Sequence, residues 1–251
     1  MISIRRDGRV AIVTYDRGAR RNALSVEAMQ KLTQTAVEFQ DDRSITCVVL
    51  TGTQQEFSSG VDLKDPARWD IDSLDLDARR QIAATGGRMC KAWEAMPQLT
   101  IVAIEGLAVG GGVALALSCD WRVMAESAFL LLPEVQKGIA VGWQAVPRLV
   151  NAVGPSKAKQ IILLGDRMKA DCALKAGLVD WVAPDGLTVA MATDLARRVA
   201  EGPPAVVRMT KQAVDAYANA LHHVASFMDV DQALVCNQSQ EAVAARQDFS
   251  R

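Results

Sequence analysis

The stretch from Thr100 to Glu134, TIVAIEGLAVGGGVALALSCDWRVMAESAFLLLPE, constrains the chain more than any other. A short apolar run at residues 101–104 meets Glu105-Gly106. Three successive glycines follow, Gly110, Gly111 and Gly112, and then an apolar helical segment that reaches Asp120. Glycine has no Cβ, so a backbone built from it can bend sharply and approach a neighbour closely. In a helix begun at Gly111 the first N–H groups have no intrahelical partner and carry the positive end of the helix dipole. That arrangement suits a negative charge developing on an oxygen atom. The same glycines would equally let a strand and a helix pack tightly, and the row by itself does not separate the two roles.

Composition narrows the rest. Half of the 251 residues are hydrophobic and 23% are charged, enough to build a large core without disulfides. The net charge is −1 and no lysine or arginine run stands out, which argues against nucleic acid and against electrostatic membrane attachment. Five cysteines (Cys47, Cys90, Cys119, Cys172 and Cys236) are odd in number, widely spaced and set among apolar neighbours. They read as reduced core residues of a cytoplasmic protein. There is no CxxC or HxxxH pair, and His222 and His223 are adjacent, so no metal site is indicated. The first residues alternate like a strand and lack the apolar core of a secretory signal, and no run is long enough to span a membrane. A soluble cytoplasmic protein is expected.

Read in order, residues 2–6 and 9–15 alternate at period two around Asp7-Gly8, a hairpin signal. Ser25 is a good N-cap for a helix over 26–40. Residues 45–50 form a continuous β-branched run, expected to be buried on both faces. Residues 69–95 turn helical after an acidic piece (Asp70, Asp72, Asp75, Asp77) expected to be a solvated flap. A strand over 99–104 and a helix over 109–118 come next, then short strands at 121–125 and 129–132. Helices are expected at 142–150, 155–164 and 170–176, the last ended by Gly177 and followed by a strand over 178–182. From Gly186 the pattern is helical to the end. Strands separated by helices imply parallel β/α units, with a helical layer or arm behind them. The expected organisation is an α/β core domain over 1–185 and a C-terminal helical region over 186–251.

Five segments, in order, resemble the crotonase superfamily, the enoyl-CoA hydratases and isomerases. Arg21-Asn22-Ala23-Leu24 is similar to its NAL loop, and Phe57-Ser58-Ser59-Gly60-Val61-Asp62-Leu63 to its FxAGxDL segment. Glu105-Gly106 through Gly112 resembles its strand, turn and oxyanion helix. Leu132-Pro133-Glu134 resembles its PE motif, and residues 170–182 its A-x-x-A-x-x-x-GLV signature. The resemblance implies a spiral of ββα units and a C-terminal helical region that takes part in trimerisation, with trimers often pairing into hexamers. It implies an acyl-CoA thioester as ligand, with coenzyme A as part of the substrate and no other cofactor. Carried over by position, the backbone N–H groups of Val61 and Gly111 would grip the thioester carbonyl. Arg21, Ala23, Leu24, Ser59 and Gly60 would line the CoA path, with Asp62, Leu63, Gly110 and Trp143 also at the ligand.

The chemistry explains these residue types. A thioester acidifies its neighbouring C–H, and loss of that proton places charge on the carbonyl oxygen. Two preorganised N–H donors stabilise it, each contributing roughly 3 kcal/mol to lowering the barrier. A carboxylate in an apolar wall can move the proton, because desolvation raises its pKa. Glu134, after Phe129-Leu130-Leu131-Leu132-Pro133, is the candidate. An exposed loop glutamate or a helix-capping partner is the structural alternative. Relatives that hydrate carry a second glutamate two residues after the glycine triplet, where this chain has Ala114. A single glutamate with alanine before it resembles the Δ3,Δ2-enoyl-CoA isomerases, so double-bond isomerisation is the leading expectation. A hydratase or hydratase-lyase activating water through another group is the second, and a CoA-ligand-binding protein with little catalysis the third.

Other residues have competing readings. Trp143 and Gln144 stand where relatives are glycine-rich and would narrow or polarise the acyl end, unless Trp143 is core filler on a helix. Asp62 and Asp120 read as structural hydrogen-bond partners, and Ser118 and Cys119 as core without a nearby histidine. Lys211 reads as solvated or as a contact to a CoA phosphate. Asp65, Asp70 or Asp72 could replace the missing acid.

Overall fold

The computed structural model describes residues 1–71, 73–236 and 238–249, with side chains to residue 245. The chain opens on a hairpin of β1 (Ile2–Asp7) and β2 (Val10–Tyr15), followed by α1 (Val26–Asp41) and β3 (Cys47–Thr51). The hairpin turn is Gly8–Arg9, one residue later than Asp7-Gly8, because Asp7 pairs with Val10 and Gly8 takes the positive φ of 57°. Three short helices come next, α2 (Pro66–Trp69), α3 (Leu76–Ala83) and α4 (Thr85–Glu94). Then come β4 (Leu99–Ile104), β5 (Leu107–Val109), α5 (Gly111–Leu117), β6 (Trp121–Ala125) and β7 (Phe129–Leu131). The remaining elements are α6 (Ala145–Leu164), β8 (Met168–Lys169), α7 (Ala170–Lys175), β9 (Trp181–Ala183), α8 (Thr188–Ala200), α9 (Pro204–Ala218), α10 (His222–Ser226), α11 (Asp229–Cys236) and α12 (Gln240–Phe249).

Six strands form one sheet in the order β1-β2-β3-β4-β6-β9, parallel from β2 onward because helices make the crossovers. A second sheet of β5, β7 and β8 stands beside it. Side chains alternate across the large sheet, and both faces are covered. Ala11, Val13, Val48, Leu50, Val102 and Ile104 meet α1, α4 and α5, whereas Ile12, Cys47, Val49, Ile101 and Val123 meet α8. This accounts for the unbroken apolar run of β3, all five of whose residues are buried.

The crossing from one sheet to the other is made at Glu105-Gly106. A Cβ on Gly106 would lie 1.9 Å from the Gln55 carbonyl oxygen, so only glycine fits. Buried Glu105 turns the other way and accepts from Thr188 Oγ1 (2.7 Å) and the Gly186 N–H (3.1 Å), tying the corner to the start of α8. The helices expected at 142–150 and 155–164 follow end to end in α6, which breaks into two where Gly154 leaves the helical region (φ 77°, ψ 162°) ahead of Pro155.

The acidic piece is solvated as expected, with Asp70, Asp75 and Asp77 exposed, and carboxylates in and before it cap helices. Asp65 accepts from the Ala67 N–H and the Val26 N–H, and Asp75 caps α3 through the Ala78 N–H. Asp70 is exposed, and Asp72 lies outside the described residues. Cys47, Cys90 and Cys119 are buried, but Cys172 and Cys236 are exposed, since each sits on the outward side of its helix. Burial pushes the Cys119 thiol up to about 12, too high for a nucleophile. No helix among the described residues is long and apolar enough to cross a membrane.

Lys211 corrects an expectation. It is neither solvated nor free for phosphate: its buried ammonium donates to Asp120 Oδ2 (2.6 Å) and to the Gln98 carbonyl (3.0 Å). Asp120 also accepts from the Thr100 N–H and hydroxyl, so one carboxylate clamps α9 to the end of α5 and the start of β4. Removing one member of a buried pair strands the other without its counter-charge. Asp120→Ala should therefore lower unfolding stability in chemical denaturation by about 3 kcal/mol, and Asp120→Asn by less.

Candidate active site

Three backbone segments converge on one cavity: residues 58–61, 109–111 and 131–134. Buried Ser58 accepts from the Gly60 N–H and donates to the Asn22 carbonyl, while Val109 N–H donates to Ser58 O at 2.9 Å. The next turn of the backbone is set by Leu24, whose N–H donates to Gly60 O (2.7 Å) and whose carbonyl accepts from the Asp62 N–H (3.0 Å). With Gly60 O and Asp62 N facing Leu24, the intervening Val61 N–H faces the opposite way, toward the cavity that Val61 lines. Gly60 lies at φ 84°, and a Cβ there would meet Val109 O at 2.4 Å and Gly111 N at 3.1 Å. Among the described residues neither the Val61 nor the Gly111 N–H finds an acceptor. Two unpartnered donors therefore stand side by side at the cavity wall. At seven residues α5 has little macrodipole, so what its start offers is the local N–H groups themselves.

Glu134 completes the convergence. It follows Leu132 and Pro133 and opens a short 3-10 turn, Val135–Lys137, with its carbonyl accepting from Ile139 N–H (2.9 Å). This places its carboxyl over Gly110: a Cβ on Gly110 would sit 2.7 Å from Glu134 Oε1. Gly110 holds φ 51° and ψ −115°, a conformation open to glycine alone. Glu134 Oε2 is buried with no hydrogen-bond partner among the described residues. Burial pushes the Glu134 carboxyl up to about 7, only partly offset by its own backbone N–H and the charge of Lys137.

The cavity measures about 310 Å³. Ser59, Gly60, Val61, Leu63, Gly110, Gly111, Ala114, Glu134, Trp143 and Gln144 all line it. The remaining sequence candidates do not. Ala23 and Leu24 are buried in the core, so their loop contributes backbone alone. Arg21, at φ 51°, pairs with Glu56 (2.7 Å) and opens on a separate surface cavity. Asp62 is buried beneath Arg17 (2.7 Å) and Arg20 (2.8 Å), which anchor the loop, and does not line the cavity. Asp65 is committed to its caps.

Several cavity residues had no local signal. Arg68 reaches the wall with its guanidinium on the Ile82 and Ala83 carbonyls and over the Trp69 ring. Asp229 arrives from α11, 95 residues after Glu134 in sequence (229 − 134), and nothing near it in the chain announces this. Trp143 is not helical filler: it occupies a left-handed turn before α6, its ring against Gly86 and Gly111. The glycine at position 86 was a signal that only the partner ring makes readable.

The pairing of a carboxyl held near neutrality with two open amides is that of an acyl-transfer or enolising site. Residues 5–246 match the enoyl-CoA hydratase/isomerase family. The chain belongs to that family. It is 30% identical over 215 residues to a short-chain-enoyl-CoA hydratase from Clostridium acetobutylicum, covering 85% of this chain and 80% of that one. It is 35% identical over 211 residues to a 2,3-dehydroadipyl-CoA hydratase from Escherichia coli, covering 84% and 80%. Among solved structures, an enoyl-CoA hydratase/isomerase from Xanthobacter autotrophicus superposes with a TM-score of 0.88 at 30% identity, covering 98% of this chain and 93% of that one. The fold is thus the crotonase fold, and the chain is a crotonase-family enzyme of acyl-CoA thioesters.

The raised Glu134 carboxyl has a consequence for stability. Its folded-state value of about 7 exceeds the ordinary 4.5, so the folded protein holds its proton more tightly than the unfolded chain. Its contribution is fully present below pH 4.5 and is lost as pH rises through 7. Glu134→Gln escapes that loss, and denaturation curves should show the variant more stable than wild type at pH 8, by up to about 3 kcal/mol, with the advantage gone near pH 4.5.

Proposed function

We propose that this enzyme shifts the double bond of a 3-enoyl-CoA into conjugation with its thioester. The observation that carries this reading is one buried carboxyl at the two amides with Ala114, 3% exposed, where a second carboxylate would stand. The thioester carbonyl accepts from the Val61 and Gly111 N–H groups. Glu134, ionised, takes a proton from C2, and the electron pair passes into the dienolate, whose charge rests on the carbonyl oxygen. The same carboxyl returns the proton to C4, giving the 2-enoyl-CoA. Each donor contributes roughly 3 kcal/mol to stabilising that oxygen. The substrate carries its own coenzyme A, and the cycle needs no other cofactor. The CoA moiety would leave the cavity past Ser59, which lines it and whose N–H is held by Arg21 O at 3.0 Å.

Hydration of a 2-enoyl-CoA is the second reading, favoured by the names of the relatives, which are mostly hydratases. It needs a water held by Glu134 and some group other than residue 114. A trimer is supported by the exposed apolar side chains Tyr217, Leu221, Val224 and Phe227 on the C-terminal helices, and sedimentation velocity tests it.

Absorbance of the conjugated thioester separates the reactions. It should appear with a 3-enoyl-CoA and persist with a 2-enoyl-CoA; its loss from the latter would establish hydration instead. Binding without either change would favour a ligand-binding protein. For the isomerisation, kcat/KM should rise with pH to a plateau above an apparent pKa of about 7, since the base form is required. Glu134→Gln should lower kcat about 10³-fold with little change in KM.

A further inference from the structure

Trp143 and Gln144 are consecutive non-glycine residues at φ 59° and 60°. Each left-handed residue costs about 1–2 kcal/mol, and such strain persists only where the surroundings over-determine it. Here three buried or half-buried charged groups do so. Arg148, 4% exposed, donates from Nη1 to the Trp143 carbonyl (2.8 Å) and from Nη2 to Gln144 Oε1 (2.9 Å). Glu94 holds the same guanidinium through Nε at 2.8 Å. From the far side, Asp229 Oδ2 accepts the Gln144 N–H at 2.8 Å. Asp229 begins α11, and α11 is itself fastened to α3 by Arg80 and Asp231 (2.7 Å).

What the turn delivers is the indole. Trp143 ring atoms stand 2.0 Å from where a Cβ on Gly86 would be and 2.3 Å from where one on Gly111 would be. The ring therefore fills the gap between α4 and α5, on the same cavity wall as Ala114. Two positions have been kept bare of side chains to admit it.

Resting on the acyl-CoA reading above, we propose that Trp143 closes the acyl end of the cavity so that short acyl groups are selected, and that Asp229 is the positioning residue that latches it there. The C-terminal region thus sets substrate size through one backbone hydrogen bond, while touching none of the reacting atoms.

Calorimetric titration of the full chain with butanoyl-CoA and octanoyl-CoA, which are saturated and unreactive, tests this apart from turnover. The wild type should bind butanoyl-CoA the more tightly. Trp143→Ala should shift the ratio toward octanoyl-CoA by about tenfold, and Trp143→Phe, the milder change, by less. Asp229→Ala should shift it the same way, whereas Asp229→Asn, whose Oδ1 can accept the same N–H, should keep the wild-type ratio. The double variant Trp143→Ala with Asp229→Ala should match Trp143→Ala alone. An unchanged ratio in Asp229→Ala, or additive effects in the double variant, would overturn the latch. Equal or tighter wild-type binding of octanoyl-CoA would overturn the size selection. Binding of neither thioester would overturn the functional reading and this inference with it, whereas binding of both with no preference would sink the inference alone.

Discussion

The site depends on a backbone approach so close that no side chain fits inside it. Gly60 lies where a Cβ would be 2.4 Å from the Val109 carbonyl oxygen, and the Glu134 carboxyl lies 2.7 Å from the Cβ position of Gly110. Bringing two peptide segments this close leaves their next N–H groups, Val61 and Gly111, facing one space without partners. Donors left unpartnered at a half-buried wall are costly to a fold and valuable to a reaction that builds charge on oxygen. Leu24, Ser58 and Asn22 hold the approach in place through backbone and side-chain hydrogen bonds.

The same dry surroundings tune the carboxyl. Leu132 and Pro133 bring Glu134 into an apolar wall, and desolvation lifts it toward neutrality, where it can both accept and return a proton. The other carboxylates near the site are treated differently. Asp62 is held below its usual range by Arg17, Arg20 and the Lys64 N–H, which outweigh its burial, and it serves as an anchor. Glu94, half-buried, is drawn down by Arg148 and His222, which outweigh its desolvation. Asp229, also raised by burial, is committed to the Gln144 N–H, which leaves Glu134 as the carboxyl near neutrality beside the two open amides.

The C-terminal helices have two distinct jobs in this arrangement. Thr188 at the start of α8 is bound by Glu105, so α8 closes the second face of the sheet and steadies the corner that feeds the glycine row. α11 instead returns to the cavity, where Asp229 meets the strained turn at Trp143 and Gln144. The coupling runs through a hydrogen bond to backbone, a contact that leaves no periodic trace in sequence.

Much was legible from order and spacing. Alternation and apolar runs placed β1 to β4, β6 and β7, Ser25 announced α1, and the glycine row with Pro133-Glu134 marked the cavity, because each depends on local conformation or on a pattern a few residues long. The strands β5 and β8, three and two residues long, were too short to leave a pattern, and β9 starts at Trp181 and not at 178. The sequence alone thus determined the α/β core, the bare glycines and the single carboxyl with alanine at position 114. Only the tertiary structure decided that Lys211 is buried on Asp120, that Asp62 anchors a loop beneath two arginines, and that Asp229 and Trp143 share the cavity with Glu134. Charge pairing and ring placement are settled by which distant segments are folded together. A residue type shows what a group can do; its neighbours across the chain decide what it does.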